Sequence, residues 1–537
     1  MNENKVYLSS FKKDTDMETF AAAMEYLREH PYTTLVVESG TYLLTSELAR
    51  ETYEKAMSGE YGEVNQWTMF TPKFPYTRGI CFAGQKGTRF EAYGVTLMVD
   101  GFMEPVSVRD CQDVEICGFR IDHVKKPYSR GVITEMGALD EKGQCTCVVT
   151  LDDDCPVQEG SPKTLRHKSV DPYTLANTRA KVLGVQYVDA HHYKVTYSSN
   201  EDLKIGTEFY CCHTYHSRPA ILIENALNTK ITDVTIQSQP GMGIVGNRSE
   251  NILVQRLSIV PSIGHHFSTN TDGTHFTSIK GLLRMENCTF DGIGDDFINV
   301  HNYYHAVIKR EGDTTCWMQE KTPTGTHAQS LDYPDVGDTL ELTTVGTMQL
   351  IDTYKVLACE PMAEDWMCKV VLDHPLPENT EGLVLADVTR LPRVEVIGCH
   401  ARCHHARSIL IKSRNVLIEG NTMRDVAGAG VYVAPEAWWY EGVAPADVTI
   451  RNNRIINCGS TFGGAIMVLA SSEQAKGQCI KNIVIEDNII ECPRVPFGIS
   501  VSNTDGVRIA RNQIIARDKA IVIKDSVNVE CDSPFSE

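Results

Sequence analysis

The sequence predicts an all-β protein built as a parallel β-helix, a solenoid in which short strands stack coil upon coil. Two observations support this prediction. A strand-and-turn unit with the pattern apolar-x-apolar-x-x-Asn-x-apolar recurs along the chain, and repetition of such a unit is the signature of a solenoid. The chain also has 537 residues, too many for one compact core, so an elongated repeat or several domains are required.

The repeated unit also predicts a ladder of asparagine side chains. Copies occur at residues 282–289, 416–423, 448–455, 483–490 and 507–514, with an early coil at 114–121. Asn tolerates the left-handed backbone of a turn, and stacked Asn amides can bond one another between coils. The expected ladder consists of Asn287, Asn421, Asn453, Asn488 and Asn512.

The first 124 residues are predicted to form a cap and the first coils. Residues 14–30 carry an apolar helical face, with Thr15 or Asp16 as N-cap. The strand, Gly-Thr-Tyr turn and strand that follow at 35–44 resemble the N-terminal cap of right-handed parallel β-helix proteins. Such a cap covers backbone groups that the end of a solenoid would leave unpaired.

Two segments lack the repeated unit and are predicted to be inserted antiparallel β modules, barrel-like in form. They span residues 125–217 and 302–392, and contain hairpin-like strands at 192–197 and 369–373 and a turn cluster at 323–326. Further solenoid coils are then expected at 218–301 and 393–537. The second insert begins directly after His301, so we expect it to border any site formed there.

Composition excludes several classes of partner. The formal net charge of −19 argues against binding nucleic acid or an anionic membrane surface, since both require clustered Lys and Arg. No stretch reaches the ~18 apolar residues of a membrane span, and the N-terminus lacks the apolar segment of a signal peptide. We therefore expect a cytoplasmic protein whose 18 Cys are reduced thiols.

Candidate metal ligands are present but their spacing is not typical of metal sites. The cluster from Cys399 to His405 and the pair Cys145 and Cys147 both lack a second pair at finger-like spacing. The acidic run at residues 152–154 fits a solvated turn better than a calcium site. The sequence therefore predicts neither a metal nor a cofactor.

The run from residue 270 to residue 301 is the candidate active site. A buried carboxylate must be paired or neutralised, so several acids within strand-like alternation indicate a site rather than a core. If 23 residues make one coil, Asp272 and Asp295 stand at equivalent points of neighbouring coils, about 4.8 Å apart. The acids and imidazoles of this run are Asp272, Asp295, Asp296, His275 and His301.

Adjacent side chains of a strand point to opposite faces, so Asp295 and Asp296 reach one cleft only if a turn or bulge breaks the alternation. Gly292 and Gly294 predict such a break. Glycoside hydrolysis needs one carboxylic acid to protonate the leaving oxygen and one carboxylate as base or nucleophile. Carboxylates held close together also separate their pKa values, so one of them stays protonated. Asp272, Asp295 and Asp296 are therefore predicted to be catalytic, with acid and base unassigned.

Residues that hold a sugar are predicted from the same run and from two later segments. Residues 435–441 combine aromatic rings, which stack on sugar rings, with carboxylates, which bind hydroxyls. Arg407 and Lys412 lie on a strand between these regions and could bond substrate oxygens or pair with neighbouring acids. The predicted substrate-binding residues are His275, Asn299, His301, Arg407, Lys412, Glu436, Trp438, Trp439 and Glu441.

The chain contains the motifs Asp272-Gly-Thr-His-Phe276, Glu286-Asn-Cys-Thr-Phe290, Gly294-Asp-Asp-Phe-Ile-Asn-Val-His301 and the loop around Trp438 and Trp439. These motifs resemble glycoside hydrolase family 110, the inverting α-galactosidases that cleave terminal α-1,3-linked galactose, including that of the blood group B determinant. The resemblance implies a right-handed parallel β-helix with two β inserts, a galactose-containing glycan as substrate, and catalysis by the three Asp. The chain departs from the family pattern at Phe297 and Asn302, where a smaller residue and Gly are usual. Both positions are expected at the rim of the site, so linkage preference stays open.

Two other functions compete with this one. Pectin-hydrolysing polygalacturonases share Asn-Thr-Asp-Gly and Gly-Asp-Asp in the same order. They are also expected to have a Gly-His-Gly after the Asp pair, which this sequence lacks, and a cationic cleft that binds galacturonate. A glycan-binding β-helix without turnover is the alternative from a different class. The sequence makes no prediction of oligomeric state.

Overall fold

The fold is a parallel β-helix with an N-terminal helical cap and two antiparallel β modules, which confirms the predicted fold class. The computed structural model describes residues 4–62, 74–153, 157–162, 164–165, 180–201, 203–214, 216–320, 331–362, 366–459, 463–472 and 474–535. The turn cluster predicted at 323–326 and residue 154 of the acidic run lie outside the described residues.

One face of the solenoid is a bent sheet made of two columns of parallel strands. The long strands Arg89–Asp100 and Gln112–His123 contribute to both columns. The first column also contains Asn4–Tyr7, Thr33–Val36, Leu227–Thr232, Glu250–Gln255, Lys280–Glu286, Arg393–Ile397, Arg414–Glu419, Ala446–Arg451, Ile480–Glu486, Thr504–Ala510 and Val527–Cys531. The second also contains Gly40–Thr45, Thr235–Ile236, Ser258–Ile259, Thr289–Asp291, His400–Arg402, Thr422–Val426, Arg454–Cys458, Ile489–Cys492 and Gln513–Ala516.

The other face, here called the site sheet, is a stack of parallel strands. A short segment, Glu441–Gly442, folds back and pairs antiparallel with Ile298–Tyr303. The stacked strands are Arg78–Ala83, Glu104–Arg109, Ile221–Glu224, Ile244–Asn247, Thr274–Thr277, Ile298–Tyr303, Ile409–Ile411, Val431–Val433, Gly464–Val468, Phe497–Ser502 and Lys519–Lys524. Apolar side chains from both faces fill one continuous core along the solenoid.

The Asn ladder forms at the corner between the two columns of the bent sheet. The side-chain amide of Asn421 donates to Asn453 Oδ1 at 2.9 Å, Asn453 donates to Asn488 at 3.0 Å, and Asn488 donates to Asn512 at 2.9 Å. The left-handed residue of each corner is the one that precedes the ladder residue, with φ of 67° at Gly420, 55° at Asn452 and 57° at Asp487.

The ladder prediction is wrong for Asn287. Strand pairing aligns Leu283 with Val394, and Val394 with Val416. Asn287 is therefore level with Gly420 and has the left-handed backbone itself, with φ of 54°. The repeated unit at 282–289 starts one residue earlier than the unit at 416–423, so the ladder position in that coil belongs to Cys288.

The N-terminal cap consists of a 3₁₀ turn, Leu8–Phe11, and helix α1, Asp16–Glu29. Thr15 is the N-cap: its hydroxyl accepts from the Glu18 backbone N–H, and the Glu18 side chain accepts from the Thr15 N–H. Buried apolar side chains of α1 belong to the solenoid core, so the helix covers its first coil. A second helix, α2, Glu47–Ser58, was not predicted, although Ser46 and Gly59 form typical caps.

The first insert occupies the corner of a coil that precedes the site sheet. Its strands form one antiparallel sheet that does not close in the described residues. It contacts the coil of the candidate site, where the Tyr128 hydroxyl donates to the Phe267 carbonyl at 3.0 Å and the Asn270 amide donates to the Thr214 carbonyl at 2.7 Å. The strands are Tyr128–Leu139, Cys145–Leu151, Thr164–Leu165, Val182–Asp189, His192–Tyr197 and Glu208–Cys212.

The second insert is a closed antiparallel barrel at the corner that follows the site sheet. Arg414 of the solenoid donates to both carboxylate oxygens of Glu341 in the barrel, at 2.8 and 2.7 Å. Its strands are His305–Glu311, Thr315–Glu320, Thr339–Thr344, Asp352–Met362, Met367–Leu372 and Leu383–Asp387. The two inserts therefore flank the site sheet at opposite ends of its strands.

The helices in the described part of the chain are too short or too polar to cross a membrane.

We expect Asn453→Ala to lower the free energy of unfolding by about 1–3 kcal/mol, the cost of leaving buried hydrogen-bonding groups unpaired. The Asn421 backbone N–H and side-chain amide, which donate to Asn453 Oδ1 at 3.0 and 2.9 Å, would lose their acceptor. Denaturant unfolding measures the change. Asn452→Gly is the matched control, because Gly keeps the left-handed corner and its side chain is outside the ladder. Equal stability of the two variants would contradict the structural importance of the ladder.

Candidate active site

Pairing between two strands of the site sheet sets the position of the three Asp. Thr274–Thr277 pairs with Ile298–Tyr303 so that His275 faces Asn299, and the Gly273 N–H donates to the Asp296 carbonyl at 2.8 Å. Asp272 is therefore level with Asp296. The predicted alignment of Asp272 with Asp295 is wrong by one residue, because equivalent positions of these two strands, such as Thr274 and Ile298, are 24 residues apart and not 23.

The predicted break in alternation is present at this turn. Strand Thr289–Asp291 ends before it and strand Ile298–Tyr303 begins after it, so Asp295 and Asp296 lie in irregular backbone. A Cβ atom at Gly294 would lie 2.2 Å from the Asn270 carbonyl oxygen, so only glycine fits this close approach. The turn brings both acids to one edge of the site sheet.

The three carboxylates form a compact cluster. One oxygen from each of Asp272, Asp295 and Asp296 lies within 4.8 Å of the others. Asp272 and Asp296 are buried, whereas Asp295 is partly exposed. The Asp296 backbone N–H donates to Asp272 Oδ1 at 3.3 Å. The cluster therefore has two members fixed inside the protein and one that reaches solvent.

Burial and mutual repulsion favour protons on this cluster at neutral pH. Burial raises the pKa of Asp296 to about 8; the charges of Asp295 and Asp272 act in the same direction, and Arg407 opposes them. Burial also raises the pKa of Asp272 well above its ordinary value, with further contributions from Asp295 and Glu441. Acid–base catalysis requires a protonated acid and an ionised acid in the same site, and a cluster with raised pKa values can supply both.

Arg407 binds Asp296 through two groups. The Arg407 backbone N–H donates to Asp296 Oδ1 at 2.7 Å, and its guanidinium donates to Asp296 Oδ2 at 2.8 Å. The same guanidinium lies 3.6 Å from Glu436 and 5.4 Å from the centre of the Tyr432 ring. Tyr432 was not predicted; its position on a site-sheet strand, where alternate residues face outward, is the signal that could have identified it.

His275 and His301 form a hydrogen-bonded chain with Asp272. His275 Nδ1 lies 2.7 Å from Asp272 Oδ2, and His275 Nε2 lies 2.7 Å from His301 Nε2. At the far end, His301 Nδ1 lies 2.9 Å from the Asn302 carbonyl oxygen. Burial lowers the pKa of His275 to about 4 and that of His301 well below its ordinary value.

Lys412 is a buried cation on the same face of the site sheet. Its ammonium group lies 3.1 Å from Asn299 Oδ1 and 3.0 Å from Glu436 Oε2, and it donates to Glu441. Burial opposes the charge of Lys412, but Glu436 and Glu441 outweigh burial and raise its pKa. For Glu441, burial is likewise outweighed by His301 and Lys412, which lower its pKa well below its ordinary value.

The loop at residues 435–441 supplies the two Glu to this network. Glu436 and Glu441 form a backbone bridge, and Glu441 pairs with Tyr303 on the site sheet, so the loop folds back over the sheet. Trp438 at the tip of the loop is 71% exposed, and Trp439 is half-buried. The structure therefore brings Glu436 and Glu441 into the network around Lys412, whereas Trp438 faces solvent.

Two further residues lie elsewhere than predicted. Phe297 is fully buried and stacks on Phe290, with ring centres 4.1 Å apart, so it belongs to the solenoid core. Asn302 is also fully buried; it accepts from the Ser278 hydroxyl at 2.9 Å and donates to the Asp387 carbonyl of the barrel. The expectation that both residues lie at the rim of the site is wrong, because both are covered by packed elements.

The predicted substrate-binding residues divide by accessibility. The side chains of His301 and Lys412 have no exposed surface, and their nitrogens contact protein atoms. Arg407 keeps 28% of its side chain exposed beside Asp296. In this arrangement His301 and Lys412 lie behind the surface of the site, and direct substrate contact by either residue stays a prediction.

Two groups of side chains have the donor types that bind metal ions. One is the Asp cluster; the other is His275, His301 and Glu441, whose donor atoms also lie within 4.8 Å of one another. Two nitrogens on one tetrahedral ion with ~2.0–2.1 Å bonds stand about 3.3 Å apart. The two Nε2 atoms here are 2.7 Å apart, which is the spacing of a hydrogen bond and shorter than the spacing of two ligands on one tetrahedral ion.

The fold and site define a parallel β-helix protein with a cluster of three carboxylates, two of them buried, at the edge of one sheet. A family model described as a right handed beta helix region matches residues 381–514.

Curated relatives confirm the resemblance that the sequence predicts. The chain is 25% identical over 525 residues to an alpha-1,3-galactosidase B of Bacteroides thetaiotaomicron, covering 92% of this chain and 82% of the relative. It is 30% identical over 253 residues to an alpha-1,3-galactosidase A of Streptomyces avermitilis, covering 44% of this chain and 40% of the relative.

Among solved structures, the chain is similar to the family 28 exopolygalacturonase of Yersinia enterocolitica, with a TM-score of 0.43 and 10% identity over 99% of this chain and 79% of that one. It is also similar to the tailspike protein of E. coli bacteriophage HK620 in complex with a pentasaccharide, with a TM-score of 0.41 and 9% identity over 97% of this chain and 66% of that one.

We expect Lys412→Met to destabilise the protein by about 3–5 kcal/mol, because it leaves Glu441 buried without its cation and Glu436 with Arg407 alone. Denaturant unfolding measures this loss. The double variant Lys412→Met/Glu441→Gln should regain part of it by removing one unpaired charge. Lys309→Met, which removes an exposed lysine of the barrel, is the surface control and should change stability little. A Lys412→Met variant as stable as that control would contradict the assigned network.

We expect Asp272→Asn to change how stability depends on pH. Folded Asp272 keeps its proton while the unfolded residue ionises above about pH 4. Wild-type stability is therefore lost as pH rises through this window, by up to about 1.4 kcal/mol per pH unit from this residue. The variant lacks this penalty, so its stability relative to wild type should increase as pH rises above about 5, until folded Asp272 itself ionises.

Denaturant unfolding at several pH values measures this difference. Asp233→Asn is the matched control: hydrogen bonding to Arg256 lowers the pKa of Asp233, so its contribution is already complete above about pH 5. A pH-independent difference for Asp272→Asn would contradict protonation of folded Asp272.

Proposed function

We propose that this protein is a glycoside hydrolase that releases terminal, α-1,3-linked galactose from a glycan with inversion of configuration. The observation that carries the proposal is the cluster of Asp272, Asp295 and Asp296, whose nearest oxygens lie within 4.8 Å of one another at an edge of the site sheet. The curated relatives, which are named alpha-1,3-galactosidases, support the linkage and the sugar.

The contacts of the three Asp suit different tasks. Both oxygens of Asp296 accept hydrogen bonds from Arg407, and such bonds favour the ionised form. Burial outweighs these bonds and raises the pKa of Asp296 to about 8, so its ionised form is a stronger base than an ordinary carboxylate. We assign ionised Asp296 as the base that activates water. The proton donor to the leaving oxygen is then Asp272 or Asp295; Asp295 is the member that reaches solvent.

Inversion is the part of the proposal that needs its own measurement. Carboxyl groups about 6.5–9.5 Å apart suit inversion and those about 5–5.5 Å apart suit retention. The nearest oxygens here are closer than the inverting range, but a third carboxylate is present, so water can be held by one pair while another member protonates the leaving oxygen. The anomeric form of the first product therefore decides the stereochemistry.

Charge at the site supports a neutral sugar over galacturonate. Five acids, Asp272, Asp295, Asp296, Glu436 and Glu441, face two cations, Arg407 and Lys412, and both cations are already in ion pairs. An anionic substrate would meet net negative charge, which is unfavourable.

The proposal is tested by incubating the protein with galactose-α-1,3-galactose and, separately, with polygalacturonate. We expect release of galactose from the disaccharide only, with β-galactose as the first product by ¹H NMR. Asp295→Asn and Asp296→Asn should each lower kcat/KM by about 10²–10⁴-fold, the usual contribution of acid–base catalysis.

Asp233→Asn, which changes a partly exposed acid that pairs with Arg256 outside the candidate site, is the control and should keep wild-type activity. Full activity of Asp295→Asn would contradict the catalytic assignment. Cleavage of polygalacturonate would favour the pectin hydrolase, α-galactose as first product would indicate retention, and glycan binding without turnover would indicate a binding protein.

A further inference from the structure

The hydrogen-bonded chain from Asp272 to Asn302 has a direction imposed by its far end. The Asn302 carbonyl oxygen can only accept, so His301 Nδ1, 2.9 Å away, carries a hydrogen. In a neutral imidazole the other nitrogen then has a lone pair, so His301 Nε2 accepts from His275 Nε2 at 2.7 Å. This leaves a lone pair on His275 Nδ1, which faces Asp272 Oδ2 at 2.7 Å.

A proton is therefore required between Asp272 and His275. If Asp272 lost this proton, the hydrogen of His275 would move from Nε2 to Nδ1 in order to donate to the carboxylate. The lone pairs of the two Nε2 atoms would then face each other at 2.7 Å. That arrangement exchanges a buried hydrogen bond for a repulsive contact, and an unmade buried hydrogen bond is costly. This proton belongs to Asp272 and not to His275, because burial lowers the pKa of His275 to about 4 and raises that of Asp272 well above its ordinary value. The second oxygen of Asp272 already accepts from the Asp296 backbone N–H, so Asp272 is fully hydrogen-bonded as a neutral acid.

We propose that His275 and His301 are positioning residues that hold the proton of Asp272, so that Asp272 starts each turnover as a neutral acid beside the other two carboxylates. The hydrogen-bonded chain of Asp272, His275 and His301 then carries no net charge. This lowers repulsion within the Asp cluster and allows Asp296 to ionise beside Asp295.

Other charged groups face this hydrogen-bonded chain from every element packed against it. Asp295 and Asp296 from the turn, and Arg407 from the next coil, face Asp272. Lys412 on the neighbouring strand and Glu441 from the back-folded loop face both histidines, with Glu441 Oε1 3.7 Å from His301 Nε2. The ring of Tyr303 lies 5.0 Å from that of His301. The acids would favour an imidazolium and Lys412 opposes one, whereas the direction of the hydrogen bonds depends on none of them.

A matched pair of variants at His301 separates the proton-holding role from a packing role. In His301→Gln, the side-chain amide reaches the position of Nε2, so its oxygen can accept from His275 while its nitrogen donates to Glu441. In His301→Asn, the shorter amide reaches the position of Nδ1, so the bond to the Asn302 carbonyl survives but His275 loses its acceptor. Both substitutions are polar and smaller than His, and unfolding midpoints identify any variant that is misfolded.

The first readout needs no substrate: infrared difference spectra between wild type and Asp272→Asn report the protonated carboxyl C=O stretch at neutral pH. ¹⁵N NMR of labelled histidines reports which ring nitrogens carry hydrogen. We expect a protonated Asp272, His275 with hydrogen on Nε2, and His301 with hydrogen on Nδ1. The protonated signal should persist in His301→Gln and be lost in His301→Asn.

The second readout is kinetic and rests on the proposed function. The alkaline limb of the pH profile of kcat/KM should move to lower pH by about one unit in His301→Asn, a tenfold change in the proton equilibrium, and stay in place in His301→Gln. An ionised Asp272 in the wild-type spectra would overturn the inference, as would equal spectra for the two variants or a stoichiometric metal ion bound between the histidines. Absence of galactosidase activity with the expected spectra would overturn only the proposed function.

Discussion

In-register stacking of the site-sheet strands is the constraint on which the candidate site depends. Parallel strands stand about 4.8 Å apart, so outward side chains at equivalent positions of adjacent coils come into contact. Pairing of Thr274–Thr277 with Ile298–Tyr303, and of the latter with Ile409–Ile411, brings residues distant in sequence into one patch. A shift of one residue in either pairing would turn these side chains toward the solenoid core, so the register is fixed by the apolar residues that alternate with them.

The second requirement is charge balance in a buried setting. Acids outnumber cations on this face, and the protein compensates by two means. Arg407 and Lys412 each contact two of the acids, and the carboxylates of Asp272 and Asp296 have raised pKa values, so they carry less charge than their number suggests. Because unpaired buried charges are costly, removing either cation should both raise the pKa of the acids it contacts and destabilise the fold.

The sequence predicted the architecture well because its signals are local. The Asn of the repeated unit identified four ladder residues correctly, and the loss of that unit identified both inserts. The coil length could not be predicted: 22 residues separate Ile409 from Val431, but 35 separate Val431 from Ile466. Turns at the surface absorb insertions without disturbing the stacked strands, which is why Asp272 aligns with Asp296 instead of Asp295. The burial of Lys412 was also beyond reach, since it depends on a loop that folds back from the next coil.

The barrel separates the acids from their cations along the chain: Asp296 and Arg407 are 111 positions apart. A ribosome making the protein from its N-terminus therefore finishes the acidic turn long before the guanidinium that neutralises it exists. Domains generally fold as units during synthesis, so the early coils would wait with exposed, hydrated carboxylates until the later coils dock. Completion of the site therefore follows synthesis of the barrel and of the coil that carries Arg407, and a truncated chain that ends within the barrel leaves the acids of the turn without this cation.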